Sequence, residues 1–349
     1  AIVLNDANLI REALNMSEFS GRPMFNYIKS RHNDGVIRGI GFAEGLHWNE
    51  QRRFAMKNLR DFGGKTMEDN IQEEIQEFFM SLKEANGKPT QGRDLFLHST
   101  INVVWRILFS DRLPYNDPDT QGAMKGLVSF IEETDITSTL SIFLPWLATA
   151  APNLSGYKKM IEGFPMVCNF LQMKIKEHSI NYIENHPRDF VDAYTDEILK
   201  TTDSHSSFHP NQDFLVDSLF DIFAAGSDTV STTLSWLCAY LIVHKEVQEK
   251  LQKEIDEVVG RHRAPVLTDR QFMPYTEAVI SEVMRFSSIA PFALFHTAIQ
   301  DTEFHRFQIP KDTLILPNVY GVHFDPSIWG DPLNFRPERF IDANGKRLL

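Results

Sequence analysis

Apolar residues recur at spacings of three and four along most of the chain, and short clusters of Pro, Gly, Asn and Asp separate the segments. This texture predicts a mainly α protein. The opening AIVLNDANLIREAL reads as a strand or strand end running into a helix. Residues 67–85 read as an amphipathic helix with Ile71, Ile75, Phe78, Phe79 and Leu82 on one face. Residues 94–109 form a second pattern, apolar almost all round, which predicts deep burial. The stretch at 114–118 is a connector. Further helices follow from Thr120 to Asn185, with breaks expected near Pro145, Pro152 and Pro165. The longest pattern covers 213–244, roughly 45–50 Å at 1.5 Å per residue. A charged amphipathic helix at 245–259 stops at Gly260, and another at about 269–286 ends before Pro291. From Ala298 to Ile315 the texture changes to Thr-Glu-Phe, Phe-Gln-Ile-Pro and Thr-Leu-Ile-Leu, read as short strands in hairpins. No repeat, low-complexity tract or linker interrupts residues 1–349, which predicts one mainly helical domain with a small β portion.

Composition narrows the function. The 349 residues carry 35 Lys and Arg against 47 Asp and Glu, a net charge of −12. That balance excludes a general nucleic-acid binder, which needs a basic face. The 27 Phe point to a large aromatic core or an apolar pocket. Cys168 and Cys238 are the two cysteines, too few for a disulfide framework or a Cys-rich zinc site, and both read as small buried hydrophobes. No run of 18 apolar residues occurs. The start shows no initiator Met or signal pattern, and the end, DANGKRLL, falls in mid-loop. Both ends therefore read as cut, and the lack of an anchor says nothing about a longer parent.

Four constellations carry candidate chemistry. Trp48 and Arg52 are i and i+4 on one helix face, where an indole N–H and a guanidinium can donate to one anion; equally, the Arg stem can lie across a packed Trp. Ala224-Ala225-Gly226-Ser227-Asp228-Thr229 places three poor helix formers inside the longest helix, and Gly226 alone costs roughly 1 kcal/mol there. Either the helix opens beside a flat ligand, with an acid and a hydroxyl to handle protons, or Gly226 permits a close helix crossing and Thr229 bonds back to a carbonyl. Glu282 and Arg285 are i and i+3, a spacing that by itself reads as an ordinary surface pair, but their apolar neighbours point to a buried one. Phe335-Arg-Pro-Glu-Arg-Phe340 offers Arg339 as a third member of that ion cluster, or a solvated loop.

The order and spacing of the four resemble the cytochrome P450 superfamily, the haem-thiolate monooxygenases, over essentially the whole chain. Gln51-Arg-Arg-Phe-Ala-Met-Lys-Asn-Leu-Arg-Asp-Phe-Gly63, Pro187-Arg-Asp-Phe-Val-Asp192 and Ile309-Pro-Lys-Asp-Thr-Leu314 look like the animal microsomal branch, arthropod members included. The resemblance implies a P450 fold and haem b. Trp48, Arg52 and His296 would donate to the haem propionates, and Ala225 and Gly226 would lie against its distal face. Asp228 and Thr229 would relay protons to bound dioxygen. Glu282, Arg285 and Arg339 match the structural ion cluster, and Phe42, Ala290, Ala293 and Leu294 match substrate-lining positions. Phe295 stands where the branch commonly has Pro.

The resemblance also places the haem-ligating Cys loop beyond Leu349. It therefore implies an oxygen-inserting parent enzyme for a small lipophilic substrate and an inactive isolated chain. The alternatives are a haem enzyme with no external electron donor and a non-catalytic truncated product. The Asp228-Thr229 pair favours the first reading. Implied partners are NADPH-cytochrome P450 reductase and cytochrome b5, at the cytosolic face of the endoplasmic reticulum membrane. Arg53, Lys57 and Arg60 form a basic stripe that can dock such a reductase, or be a solvated helix face.

Overall fold

The structure is a computed structural model describing residues 1–29, 31, 32, 34–64, 67–89, 92, 95–114, 116–134, 144–155 and 157–348. The chain is mainly α. Among the described residues its helices are α1 Ala7–Asn15, α2 Asn26–Lys29, α3 Gly45–Gly63, α4 Met67–Ala85, α5 Leu97–Phe109, α6 Pro118–Thr134, α7 Pro145–Ala150, α8 Tyr157–Ser179, α9 Phe190–Lys200, α10 Leu215–Val243, α11 Lys245–Val258, α12 Pro274–Ser287, α13 Val319–His323 and α14 Pro326–Trp329. The strands are β1 Ile2–Leu4, β2 His296–Thr297, β3 Thr302–Phe304, β4 Phe307–Ile309 and β5 Leu314–Pro317. Two compact units form, one of Ala1–Gly21, Phe78–Leu97 and Thr229–Leu349, the other of Arg22–Glu77 and His98–Asp228.

The first unit holds the sheet. β5 pairs in parallel with β1 (Ile2 opposite Ile315) and antiparallel with β2 (His296 opposite Ile315). Asp6 starts α1, its Oδ1 accepting from Asn8 N at 2.8 Å and Leu9 N at 3.0 Å, a side-chain cap on otherwise unpaired donors. Leu4, Ile10, Ala13 and Phe19 bury against Ala298, Phe304, Ile309 and Ile315. β3 and β4 turn at His305 and Arg306, both with positive φ (46° and 70°), the twist-matched form of a two-residue hairpin. A second core joins Val247 and Leu251 of α11 to Val279 and Val283 of α12, closed by Phe335.

The second unit is built on α5, where Ile101, Trp105 and Leu108 are buried and Trp105 stacks on Phe109 at 4.0 Å. α6 and α8 pack through two glycines. A Cβ on Gly163 would lie 2.6 Å from the Gly126 carbonyl oxygen, so a larger residue there would push the helices apart.

Several expectations change. α8 runs through Pro165 instead of breaking. The segment before α12 is a 3-10 turn, Leu267–Phe272, and the helix starts at Pro274, where a missing N–H is harmless. The bounds of α4 match the sequence pattern, but its apolar face does not bury as expected. Ile71, Phe79 and Leu82 are exposed, and Glu74 is the buried residue, at 1% exposure. Arg112 Nε donates to Glu74 at 2.7 Å, so an ion pair, and not the apolar stripe, claims the buried position. The expected start of α5 at Asp94 lies outside the described residues.

Candidate functional site

The midpoint of α10 is an unbroken helix; the local opening does not occur. A Cβ on Gly226 would lie 2.9 Å from Val104 Cγ2 of α5, so this glycine permits a close helix approach. Ala225 and Thr229, one turn apart, are both exposed, and Asp228 is half-buried between them and the rest of the helix. Extra donors decorate the carbonyls of this stretch. Thr100 Oγ1 donates to Ser227 O at 3.1 Å, and Thr233 Oγ1 to Thr229 O at 2.7 Å. The carbonyl of Thr229 therefore has a second partner inside α10.

Trp48 and Arg52 share one face of α3, with the guanidinium 5.6 Å from the Trp48 ring centroid. Trp48 Nε1 donates to Ile40 O at 3.0 Å. The indole N–H is thus engaged within the chain, and the guanidinium is the member of the pair open to an anion. Arg22 joins it. Burial lowers the Arg22 pKa, and the nearby Arg52 charge lowers it further, against the pull of Glu44. Sequence reasoning missed Arg22 because it lies 30 residues from Arg52 with no motif linking them.

His296 sits on β2 with Nδ1 2.6 Å from Phe19 O. A carbonyl can only accept, so Nδ1 carries the proton and Nε2 is the remaining ring nitrogen. Ala290, Ala293 and Leu294 lie in the exposed connection from α12 to β2, where Ala293 has a positive φ of 49°.

The ion cluster is assembled around one carboxylate. Glu282, fully buried, accepts from Arg285 Nε at 2.7 Å and Nη2 at 2.9 Å, from Arg336 N at 2.8 Å and from Arg339 Nε at 3.1 Å. Arg285 Nη1 also donates to His323 O and Pro332 O, and Arg339 to Trp329 O, Asp331 O and Asn334 O. The network therefore ties α12 to the 323–340 segment through backbone carbonyls as well as charges.

A second buried charge group was not visible in the sequence. Arg31, with 3% of its side chain exposed, lies 4.8–5.3 Å from the ring centroids of Phe42, Phe130, Phe164 and Phe220. Its Nη1 reaches Asp221 Oδ1 at a long 3.4 Å, while its Nε and Nη2 have no hydrogen-bond partner. Asp221 takes its short bonds from Ile40 N (2.7 Å) and Gly41 N (2.8 Å), and burial raises its pKa. Next to it Asp217 pairs with His32 at 2.8 Å. A buried unpaired donor costs about 1–3 kcal/mol, so the open edge of Arg31 calls for an explanation.

Among the described residues, one group has metal-ligand spacing: His178, Asp189 and Asp192. Arg188 Nη2 sits 3.0 Å from Asp192 Oδ1 and 3.1 Å from His178 Nε2, so a guanidinium already supplies the positive charge there. Burial raises the pKa of both Cys168 and Cys238. Within the second unit, Arg22 and Arg52 are guanidinium donors whose chemistry fits an anionic group. No helix among the described residues is long and apolar enough to cross a membrane.

A family model described as Cytochrome P450 matches residues 1–348. Similar proteins include Cytochrome P450 2C16 of Oryctolagus cuniculus, 36% identical over 358 residues, covering 99% of this chain and 70% of that protein. Cytochrome P450 2J2 of Homo sapiens is 34% identical over 353 residues, with 99% and 68% covered. Cytochrome P450 18a1 of Drosophila melanogaster is 33% identical over 363 residues, with 99% and 65% covered.

Proposed function

The chain belongs to the cytochrome P450 family of haem monooxygenases, and we propose that the full-length enzyme inserts one oxygen atom into a small lipophilic substrate using NADPH electrons delivered by a reductase. Residues 1–349 act as parts of one such domain. Haem b, when bound, supplies the reductive activation of dioxygen. Arg22 and Arg52 pair with its carboxylates as charge-assisted donors, with Trp48 packed under the Arg52 guanidinium. His296 adds a donor when its Nε2 is protonated. Ala225 keeps the adjoining face of α10 flat, and Gly226 holds that helix against α5.

Thr229 offers a hydroxyl that would hold a water by hydrogen bonding, and Asp228 would pass protons to it from solvent. Phe42, Ala290, Ala293 and Leu294 line the substrate space. Glu282, Arg285 and Arg339 support the haem site by fixing the fold around α12. The exposed stripe of Arg53, Lys57 and Arg60 on α3 docks the acidic reductase, and cytochrome b5 uses the same charge. The enzyme works at the cytosolic face of the endoplasmic reticulum membrane.

The observation that carries this reading is the exposed small pair Ala225 and Thr229, with Asp228 beside it, in the middle of the 29-residue helix α10. Haem titration read by absorbance, followed by the reduced carbon monoxide difference spectrum, tests it. Stoichiometric haem uptake that weakens in Arg22→Ala and Arg52→Ala supports the assignment; uptake unchanged in both overturns the propionate role.

A further inference from the structure

The end of α8 and the start of α9, both in the second unit, bring together the imidazole of His178 and the carboxylates of Asp189 and Asp192. His178 Nε2 lies 2.9 Å from Asp189 Oδ2 and 3.2 Å from Asp192 Oδ1, and the three side chains are 12%, 0% and 1% exposed. Buried charges of this kind are held by paired charges or by a metal ion.

Arg188 meets part of the need. Its Nε and Nη2 close on Asp192 at 2.5 and 3.0 Å, and Nη2 also reaches His178 Nε2 at 3.1 Å. A guanidinium only donates, so His178 Nε2 accepts and the ring proton sits on Nδ1. Nε2 therefore has no proton to give to Asp189. Asp189 Oδ1 caps α9 by accepting from Asp192 N at 3.0 Å. Asp189 Oδ2 is left buried with no hydrogen-bond donor. Nor does the charge balance, since among these groups one guanidinium faces two buried carboxylates.

The same three atoms suit a metal ion. In a four-coordinate zinc site with bonds of about 2.0–2.2 Å, neighbouring ligand atoms lie about 3.3–3.6 Å apart. The separations around His178 Nε2 are within a few tenths of an ångström of that. The capping bond fixes Asp189, and an edge contact with Phe109, ring centroids 5.6 Å apart, orients His178. Arg188 Nη2 stands between Nε2 and Asp192 Oδ1, where an ion's charge is wanted. Its side chain is 37% exposed and lines a cavity of about 730 Å³ with Arg60, Asn70 and Ser110, which gives the guanidinium room to withdraw.

We propose that His178 Nε2, Asp189 Oδ2 and Asp192 Oδ1 form a zinc-type divalent metal site, in which the ion displaces Arg188 Nη2 and takes water as its fourth ligand. Bound there, it braces the end of α8 against the start of α9. One imidazole with two carboxylates selects zinc over magnesium, which prefers an octahedral oxygen shell. The site goes beyond the monooxygenase reading and uses none of its residues.

The test is calorimetric titration of the full chain with zinc chloride in a non-chelating buffer, alongside His178→Ala and Arg188→Ala. Wild type takes up one Zn²⁺ per chain in its tightest step, and magnesium chloride in about hundredfold excess leaves that step in place. His178→Ala weakens it by at least about tenfold, the loss that even an outer-shell change brings to a metal site. Arg188→Ala tightens it, because zinc no longer competes with a guanidinium. A tightest step unchanged in His178→Ala overturns the proposal, since zinc then sits on another of the 12 histidines. So does a step that Arg188→Ala weakens, or one that magnesium displaces. Thermal melts check that the variants fold. If either does not, cobalt chloride added to wild type decides: the visible absorption of four-coordinate cobalt supports the site, and a six-coordinate spectrum or none overturns it.

Discussion

Glu282 and Arg285 close a two-bond ring, Oε2 to Nε at 2.7 Å and Oε1 to Nη2 at 2.9 Å, with 0% and 2% of the two side chains exposed. Both charges are out of water, so each depends on the other and on the backbone carbonyls that take up the remaining guanidinium donors. Removing Glu282 strands Arg285 and Arg339 without their carboxylate, and removing Arg285 leaves Glu282 with only Arg339 and the Arg336 N–H; loss of a buried partner of this kind costs about 3–5 kcal/mol. Glu282→Gln and Arg285→Ala should each destabilise the chain by that amount in urea melts. The double variant should be less destabilised than the two losses added. Additivity within about 0.5 kcal/mol would show that the two side chains do not depend on each other.

Gly226 is set by steric contact with α5. A methyl group at that position would lie 2.9 Å from Val104 Cγ2, closer than real contacts allow. Gly226→Ala gains helix propensity of roughly 1 kcal/mol and meets an overpacking penalty of about 1–3 kcal/mol. The net effect should be destabilising, and Val104→Ala should relieve the penalty in the double variant. A Gly226→Ala chain that melts higher than wild type would place Val104 elsewhere in solution.

Asp269 gives a pH dependence with a definite sign. Hydrogen bonds from Arg263, and then from Val266 N, hold its pKa at about 2, against about 3.9 for an unperturbed Asp. A carboxylate with a depressed folded-state pKa contributes stability that is complete above the unfolded value. It is lost as pH falls through the folded one. The contribution should therefore fade between about pH 4 and pH 2. Melts of wild type and Asp269→Asn should differ above pH 4 and converge near pH 2; a gap that persists at pH 2 refutes the assignment.

Much of the fold was legible because helical periodicity is a local signal. The bounds of α4 and the run of α10 follow from spacing alone, and Glu282 with Arg285 stood out as charges among apolar neighbours. What spacing cannot show is which surface a helix meets. The apolar stripe of α4 is real, yet Glu74 takes the buried position because Arg112, 38 residues on, supplies its partner. Pro165 reads as a break because proline removes one donor, but α8 has enough other turns, packed through Gly163, to run on. Arg31 was invisible for the same physical reason. Its rings come from positions 42, 130, 164 and 220, and no local pattern connects them.

Thr229 and Asp228 should separate electron use from product formation. If the hydroxyl holds the water that donates protons, Thr229→Ala in the full-length enzyme leaves haem uptake intact and diverts electrons to peroxide. Asp228→Asn slows proton delivery with the same consequence. General acid assistance of this kind is worth about 100- to 10,000-fold in rate, so the coupling of NADPH use to product should fall clearly in both variants. Hydrogen peroxide and product, measured together in a reductase-supported reaction, decide the matter. Unchanged coupling would remove both residues from the proton path.

Arg53, Lys57 and Arg60 carry three exposed positive charges along one stripe of α3 in a chain of net charge −12. Arg60 has a neighbouring carboxylate, Asp61, at 3.6 Å, a surface pair too weak and too screened to neutralise the stripe. Electrostatic docking acts mainly on the association rate and decays with ionic strength over a Debye length of about 10 Å at 0.1 M salt. Lys57→Glu with Arg60→Glu should therefore raise the reductase concentration needed for half-maximal reduction at low salt. The difference from wild type should shrink as salt is added. Stopped-flow reduction rates across a salt series measure this, and normal, salt-independent rates in the charge-reversed variant would assign the stripe to solvation of the helix.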